Sequence, residues 1–147
     1  MYHTILVPLD GTRQAEAILP QAEELARSHE ARLVLLRVLQ PVPALIHIPG
    51  PYGTWSADMQ THAWDNATVY LAGKRGELRE LGLQASSCLE AGPAVETILR
   101  VAAQCGADLI AMASHGRTAL EQLAARSVAA GVLHGANCPL LLVRSSD

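Results

Sequence analysis

The chain has 147 residues, half of them hydrophobic, with a net charge of −3 and a single lysine, Lys74. Its length fits one domain spanning residues 1–147. Binding to nucleic acid or to an anionic membrane surface needs a patch of basic side chains, and the sequence has none. No basic leader precedes the first apolar run, and no run reaches the roughly 18 apolar residues that span a bilayer. We therefore expect a cytoplasmic protein.

The first third of the chain alternates between strand and helix patterns. His3–Leu9 and Arg32–Leu39 are short, largely apolar runs, which is typical of strands buried on both faces. Turn-forming residues end the first run, and Thr12 among them is suited to cap a helix. Apolar residues at helical spacing predict that helix over Ala15–Ser28. Because Pro20 lies inside this pattern, we expect a kink there.

A proline-rich segment, Gln40–Trp55, follows the second strand. Its prolines and glycines exclude a regular helix or a central strand. It also contains more apolar side chains than a solvated linker does, so it is predicted to cover a site or a partner surface. The next residues, Asp58–Leu81, have a helical pattern that ends at Gly82.

The remainder of the chain continues the alternation. It is predicted to contain a strand over Gln84–Leu89, a helix from Pro93, a strand over Ala107–Ala113, a short helix over Leu120–Ala125, a helix over Ser127–His134 and a strand over Pro139–Arg144. This order predicts an α/β fold, a single open five-stranded parallel sheet with helices on both faces. If the strand order is 3-2-1-4-5, a ligand crevice lies between Asp10 and the loop at 113–117.

Other chemistry is less well supported by the residues. Ser114, His115 and Asp10 suggest a hydrolase triad, but neighbouring side chains diverge and no nucleophile elbow is present. His47 and His62 lack the spacing and partners of a metal site. The three cysteines, Cys88, Cys105 and Cys138, have no paired spacing and are interpreted as small buried hydrophobic residues.

Several stretches resemble the universal stress protein family. They are ILVPLDGT at 5–12, GPAVETIL at 92–99, ADLIAMASHGR at 107–117, the pair Ser127-Val128, and CPLLLVR at 138–144. They follow one another in the family's order and at its separations over nearly the whole chain. The resemblance implies a Rossmann-like sheet of order 3-2-1-4-5. It also implies a homodimer, here through Pro139–Arg144.

Many members of that family bind ATP through the pattern Gly, two residues, Gly, nine residues, Gly, then Ser or Thr. Gly116 and Ser127 match this pattern, whereas Ala113 and Arg126 replace glycines. The resemblance also implies that Pro8 and Asp10 adjoin the nucleoside and that Val38 and Met112 hold the base. Arg117 and Val128, beside the matched positions, are further candidate nucleotide-binding residues.

The two replacements of glycine differ in their expected effect on phosphate binding. Ala113 adds one methyl group, which is a mild change wherever φ is negative. Arg126 lies at the mouth of the anion site, where backbone N–H groups converge on phosphate. Its side chain either fills the phosphate space or donates to a phosphate, and the sequence leaves both outcomes open. We expect weakened ATP binding, with AMP, ADP or another anion still accepted, and Mg²⁺ only with a triphosphate.

Three functional hypotheses follow. The first is a non-enzymatic protein that binds an adenine nucleotide and acts as a dimer in stress response. The second is a dimeric interaction module of the same fold that has lost its ligand, which Ala113 and Arg126 favour. The third is slow ATP hydrolysis, but the sequence offers no clear general base, P-loop lysine or cluster of metal-binding carboxylates for it.

Overall fold

The apolar runs of the sequence form the strands of one sheet, and the amphipathic segments between them form helices. The computed structural model describes residues 1–40, 53–114 and 128–145, although the side chains of residues 53–58 lie outside that description. The elements are β1 (Thr4–Pro8), a 3-10 turn (Ala15–Ile18), α1 (Leu19–His29), β2 (Arg32–Leu39), α2 (Gly53–Glu80), β3 (Ala85–Ala91), α3 (Ala94–Cys105), β4 (Leu109–Ser114) and β5 (Leu140–Arg144). Residues 128–135 are also helical and are called α4.

The sheet has five strands in the order β3-β2-β1-β4-β5. All four pairings are parallel. The predicted fold class and strand order are therefore confirmed. β1 and β2 are paired from Thr4–Arg32 to Pro8–Leu36, whereas β1 and β4 are paired at only two positions, Ile5–Leu109 and Leu6–Ile110.

Successive side chains of each strand point to opposite faces of the sheet, so each face has its own hydrophobic core. Ile5, Leu35 and Ala111 pack on one face with residues of α1 and α2. Leu6 and Ile110 pack on the other face with residues of α3 and α4. Because both faces of a parallel strand are covered, its sequence is a continuous apolar run, as β1 and β4 show.

The predicted kink at Pro20 is wrong. The chain first forms the 3-10 turn, and α1 begins afterwards at Leu19, which places Pro20 in the first turn of the helix. Proline lacks an N–H group, and the N–H groups of the first turn have no partner within the helix. A late start therefore avoids the loss of a helical hydrogen bond.

The beginning of α2 also differs from the prediction. The helix starts at Gly53, so the last three residues of the segment predicted to be irregular belong to it. The rest of that segment, like the predicted helix at 120–125, lies outside the described residues. None of the helices in the described ranges is long and apolar enough to cross a lipid bilayer.

Two glycines bring α4 close to α3. A Cβ atom on Gly131 would lie 2.8 Å and 2.9 Å from the two γ-carbons of Val95, and one on Gly135 would meet the side chain of Leu99. Both pairs are spaced by four residues, so they form matching faces of the two helices. The absence of side chains at Gly131 and Gly135 therefore sets the distance between α3 and α4.

Hydrogen bonds join the amino ends of the central strands. The Asp108 carboxylate accepts the N–H groups of His3 at 2.8 Å and Thr4 at 3.0 Å. The Arg32 guanidinium donates to the Thr4 hydroxyl at 3.0 Å and to the Cys105 carbonyl at 2.8 Å. These contacts fix β1 between β2 and β4 at the end of the sheet opposite the carboxyl ends.

Candidate functional site

A cavity of about 510 Å³ opens at the carboxyl ends of β1, β2 and β4. Its position follows from the topology, because the strand order reverses between β1 and β4 and ligand crevices form at such points. Pairing of β1 with β4 ends at Leu6–Ile110, so the two strands continue beyond it without a ladder between them. The described residues that line the cavity are Pro8, Leu9, Asp10, Ala15, Leu36, Arg37, Val38, Leu39, Gln40, Ala94, Ile98, Met112, Ala113 and Val128.

Five of the predicted site residues line this cavity together. They are Pro8, Asp10, Val38, Met112 and Val128. Ala113, which stands where the motif has its first glycine, also lines it. The other four predicted site residues, Gly116, Arg117, Arg126 and Ser127, lie outside the described residues. The ligand contacts assigned to all of these residues remain predictions.

The turn after β1 holds Asp10 at the edge of the cavity. The Asp10 carboxylate accepts the backbone N–H of Thr12 at 2.9 Å and also the Thr12 hydroxyl. The Thr12 hydroxyl oxygen in turn accepts the N–H of Ala15 at 3.2 Å. The N-cap of the 3-10 turn is Gln14, so the predicted cap at Thr12 lies two residues before the observed one. Gly11 has φ of 86°, a conformation that favours glycine. Hydrogen bonds within the turn thus fix the position of the Asp10 carboxylate.

The walls of the cavity are mainly aliphatic. Leu36, Val38 and Met112 come from the sheet, and Ile98 comes from α3 on the covering layer. Ligand pockets of this kind combine an apolar lining with a few polar groups that fix orientation. The arrangement suits a flat apolar ring with a polar substituent directed at the Asp10 edge.

Arg37 is a lining residue that sequence reasoning missed. One guanidinium N–H of Arg37 donates to the Val38 carbonyl at 3.3 Å, and the Arg37 Nε lies 3.9 Å from the position that a Cβ atom on Gly11 would occupy. The guanidinium therefore lies beside the turn that carries Asp10. A charged residue two positions before the end of a strand that is apolar from Leu33 to Leu36 is the signal that could have revealed it.

A polar cluster next to the cavity attaches α2 to the 3-10 turn. Glu16 contacts the Lys74 ammonium at 2.7 Å and accepts the Tyr70 hydroxyl at 2.9 Å. Burial raises the pKa of Tyr70, and so does its hydrogen bond to the Glu16 carboxylate. The charge of Asp10 adds to this increase and that of Arg37 opposes it, so both charges act on the Tyr70 hydroxyl. The cluster therefore lies within electrostatic range of Asp10 and Arg37.

Metal and thiol chemistry receives no support from the described ranges. Within them, no group of three or more His, Cys, Asp or Glu side chains is placed to hold a metal ion. Cys88, Cys105 and Cys138 are free and half-buried, and all three pack against the core under α3. Burial raises the pKa values of the Cys88 and Cys138 thiols, which makes them less reactive. His115 and His47 lie outside the described residues.

The family model of the universal stress protein family matches residues 1–144. The chain belongs to the universal stress protein family. Among its relatives, universal stress protein Sll1654 of Synechocystis is 30% identical over 146 residues, which cover 97% of this chain and 86% of that protein. A universal stress protein of Thermus aquaticus is 31% identical over 144 residues, covering 98% of this chain and all of that protein. The family resemblance inferred from the motifs is thereby confirmed.

Solved structures of family members share the fold. MJ0577 of Methanocaldococcus jannaschii superposes with a TM-score of 0.84 at 24% identity, covering 100% of this chain and 99% of that one. An Arabidopsis thaliana member with AMP bound has a TM-score of 0.69 at 15% identity, covering 98% and 92%. A universal stress protein in complex with cAMP has a TM-score of 0.69 at 18% identity, covering 99% and 98%. Some structures of this fold thus contain adenine nucleotides.

Proposed function

We propose that this protein binds an adenine nucleotide in the cavity at the carboxyl ends of β1, β2 and β4, and that it does so as a regulator rather than an enzyme. The observation that carries the proposal is the convergence of Pro8, Asp10, Val38 and Met112 on one cavity. They come from three separate segments of the chain, namely β1 with the turn after it, β2 and β4, and the family resemblance assigned each of them to the nucleoside. Family structures with AMP and cAMP support the same ligand class.

The shape and chemistry of the cavity fit a nucleoside. The base would lie between the aliphatic side chains of Val38 and Met112, which lose contact with water when it binds. The ribose hydroxyls would approach the Asp10 carboxylate, a strong hydrogen-bond acceptor. The phosphate would extend toward the side of the cavity lined by Val128, the first described residue of α4. The N-terminal ends of helices favour negative charge.

The two replaced glycines indicate which nucleotide is preferred. Ala113 is 7% exposed and forms part of the cavity wall, so its methyl group reduces the space beside the ligand. Arg126 brings one positive charge and a long side chain to the motif. We therefore propose that AMP and ADP bind more tightly than ATP, with Mg²⁺ needed only for the triphosphate.

The first experiment is mass spectrometry of nucleotides released from protein purified without added ligand. Calorimetric titration with AMP, ADP and ATP follows, with and without Mg²⁺. We expect an adenine nucleotide to copurify, AMP or ADP to bind more tightly than ATP, and Arg126→Gly to raise ATP affinity. Submicromolar ATP affinity of the parent protein would refute the weakening. An unchanged ATP affinity in Arg126→Gly would show that Arg126 does not block the site.

A dimer formed through the last strand is the second part of the proposal. β5 ends the strand order, so in the described chain one of its edges has no neighbouring strand. Leu142 at its centre is 41% exposed, which is unusual for a leucine within a strand. Such a dimer, acting in the cytoplasm in stress response, would present the ligand state of two cavities to protein partners.

Leu142→Lys tests the dimer directly. A charge on the exposed edge opposes pairing between two copies of β5, so we expect a shift from dimer to monomer in light scattering coupled to size exclusion. Leu133, 60% exposed on α4, gives a matched control as Leu133→Lys, which should remain dimeric. A parent protein that is monomeric at high micromolar concentration would contradict this part of the proposal. If the purified protein releases no nucleotide but is a dimer, the result would favour the interaction module that has lost its ligand.

A further inference from the structure

In the part of the chain that the structure describes, most N–H donors of the Arg37 guanidinium at the cavity edge have no partner. Among the described residues, its hydrogen-bond partner is the Val38 carbonyl oxygen, at 3.3 Å. A guanidinium has five N–H donors in a rigid fork, so this contact satisfies a small part of its capacity. The side chain is half-buried, which makes unused donors more costly than they would be in open solvent. These donors can be satisfied by an anionic group of a ligand.

The position of Arg37 specifies which part of the ligand it would meet. It lies near the carboxyl end of β2, beside Gly11 in the turn that carries Asp10. Val38, the next residue, is on the opposite face of β2 and contributes to the core under α3. A base held by Val38 with its ribose at Asp10 would therefore direct the ribose hydroxyls toward Arg37. The phosphate side, lined by Val128, lies across the cavity on the α4 side.

General rules for parallel nucleotide-binding sheets point to the same group. In the dinucleotide-binding sheets that follow these rules, an acid near the second strand binds the ribose hydroxyl, whereas an arginine nearby accommodates a phosphate on the ribose. Arginine suits phosphate because two parallel N–H groups match two phosphate oxygens. The charge of Arg37 also acts on Tyr70, as does that of Asp10, which agrees with the two charges sharing one edge of the cavity.

We propose that Arg37 makes this site selective for an adenine nucleotide that carries a phosphate on its ribose ring, at the 2′ or 3′ position, over one with free ribose hydroxyls. This inference rests on the proposed nucleotide function and names its ligand more narrowly. The second phosphate would accept two N–H groups of Arg37 while the 5′ phosphate remains on the α4 side. Asp10 would still set the position of the ribose from the β1 turn.

The test compares 5′-AMP with adenosine 2′,5′-bisphosphate and adenosine 3′,5′-bisphosphate by calorimetric titration at constant ionic strength. We expect at least one bisphosphate to bind about tenfold more tightly than AMP, which is the gain expected of a charge-assisted hydrogen bond. Arg37→Gln should remove most of that advantage, so that this variant binds the bisphosphates no more than about threefold more tightly than AMP. Arg37→Lys should retain part of it, since it keeps the charge and loses the fork.

Arg100→Gln is the matched control for the loss of one positive charge. Arg100 is an exposed residue of α3 that pairs with Glu90, so its variant should keep the preference of the parent protein. AMP binding without preference for either bisphosphate would overturn the inference and leave the nucleotide function standing. A preference that survives in Arg37→Gln would also overturn it. A failure of all three nucleotides to bind would remove the proposed function and this inference with it.

Discussion

Gly131→Val is expected to lower the free energy of unfolding by about 1–3 kcal/mol, the usual cost of excess volume in a packed interface. The added Cβ atom alone would lie within 3.0 Å of both γ-carbons of Val95. Val95 is β-branched and has little rotamer freedom in a helix, so it cannot move aside cheaply. The two helices must separate instead. Urea unfolding followed by circular dichroism measures the change.

The same variant is expected to weaken nucleotide binding. Ala94 and Ile98 of α3 and Val128 of α4 all line the cavity, so separation of these helices changes its width. Gly73→Val is the matched control, because a Cβ atom on Gly73 in α2 meets nothing within 4 Å. We expect the free energy of unfolding of that control to lie within about 0.5 kcal/mol of the parent value. Equal stability of the two variants would show that α3 and α4 are not in close contact at Gly131.

Val38→Trp is expected to reduce AMP affinity at least about tenfold, or 1.4 kcal/mol. Val38 lines the cavity and is half-buried, so an indole ring there can occupy the space assigned to the base. The fold should survive, since the added volume enters a cavity rather than a filled core. Calorimetric titration of the variant with AMP measures the loss, and circular dichroism checks the fold.

Val69→Trp makes the same exchange at an exposed position. Val69 is 73% exposed on α2 and does not line the cavity, so its variant should bind AMP as the parent does. Full AMP affinity in a folded Val38→Trp protein would place the nucleotide elsewhere on the molecule. A loss of affinity in both variants would indicate a general effect of the added tryptophan.

The sheet could be predicted from the sequence because its strands are buried on both faces. β2 is predicted at its observed bounds, Arg32–Leu39, and β1 differs by one residue at each end. Continuous apolar runs bounded by turn residues give this precision. The start of α1 could not be predicted in the same way. The 3-10 turn and the helix share one apolar face, so their periodic patterns run together across Pro20.

The site was predicted in part. The acid after β1 and the aliphatic residues of β2 and β4 converge on one cavity, as the family resemblance implied. Arg37 was missed because a charged residue within a strand pattern gives no indication of which cavity it faces. The close contact at Gly131 and Gly135 was missed for a similar reason, since a glycine in a helix does not identify its neighbour. Both features depend on distances between segments far apart in the chain.

The short pairing between β1 and β4 has a mechanical consequence. The sheet consists of two groups of strands, β3-β2-β1 and β4-β5. They are joined at Ile5–Leu109 and Leu6–Ile110 and, at the amino ends of the strands, by the hydrogen bonds of Asp108. A ligand in the crevice at the carboxyl ends would contact both groups of strands and link them. Its binding free energy would then stabilise the folded chain as a whole, so the free energy of unfolding would rise with the concentration of the ligand.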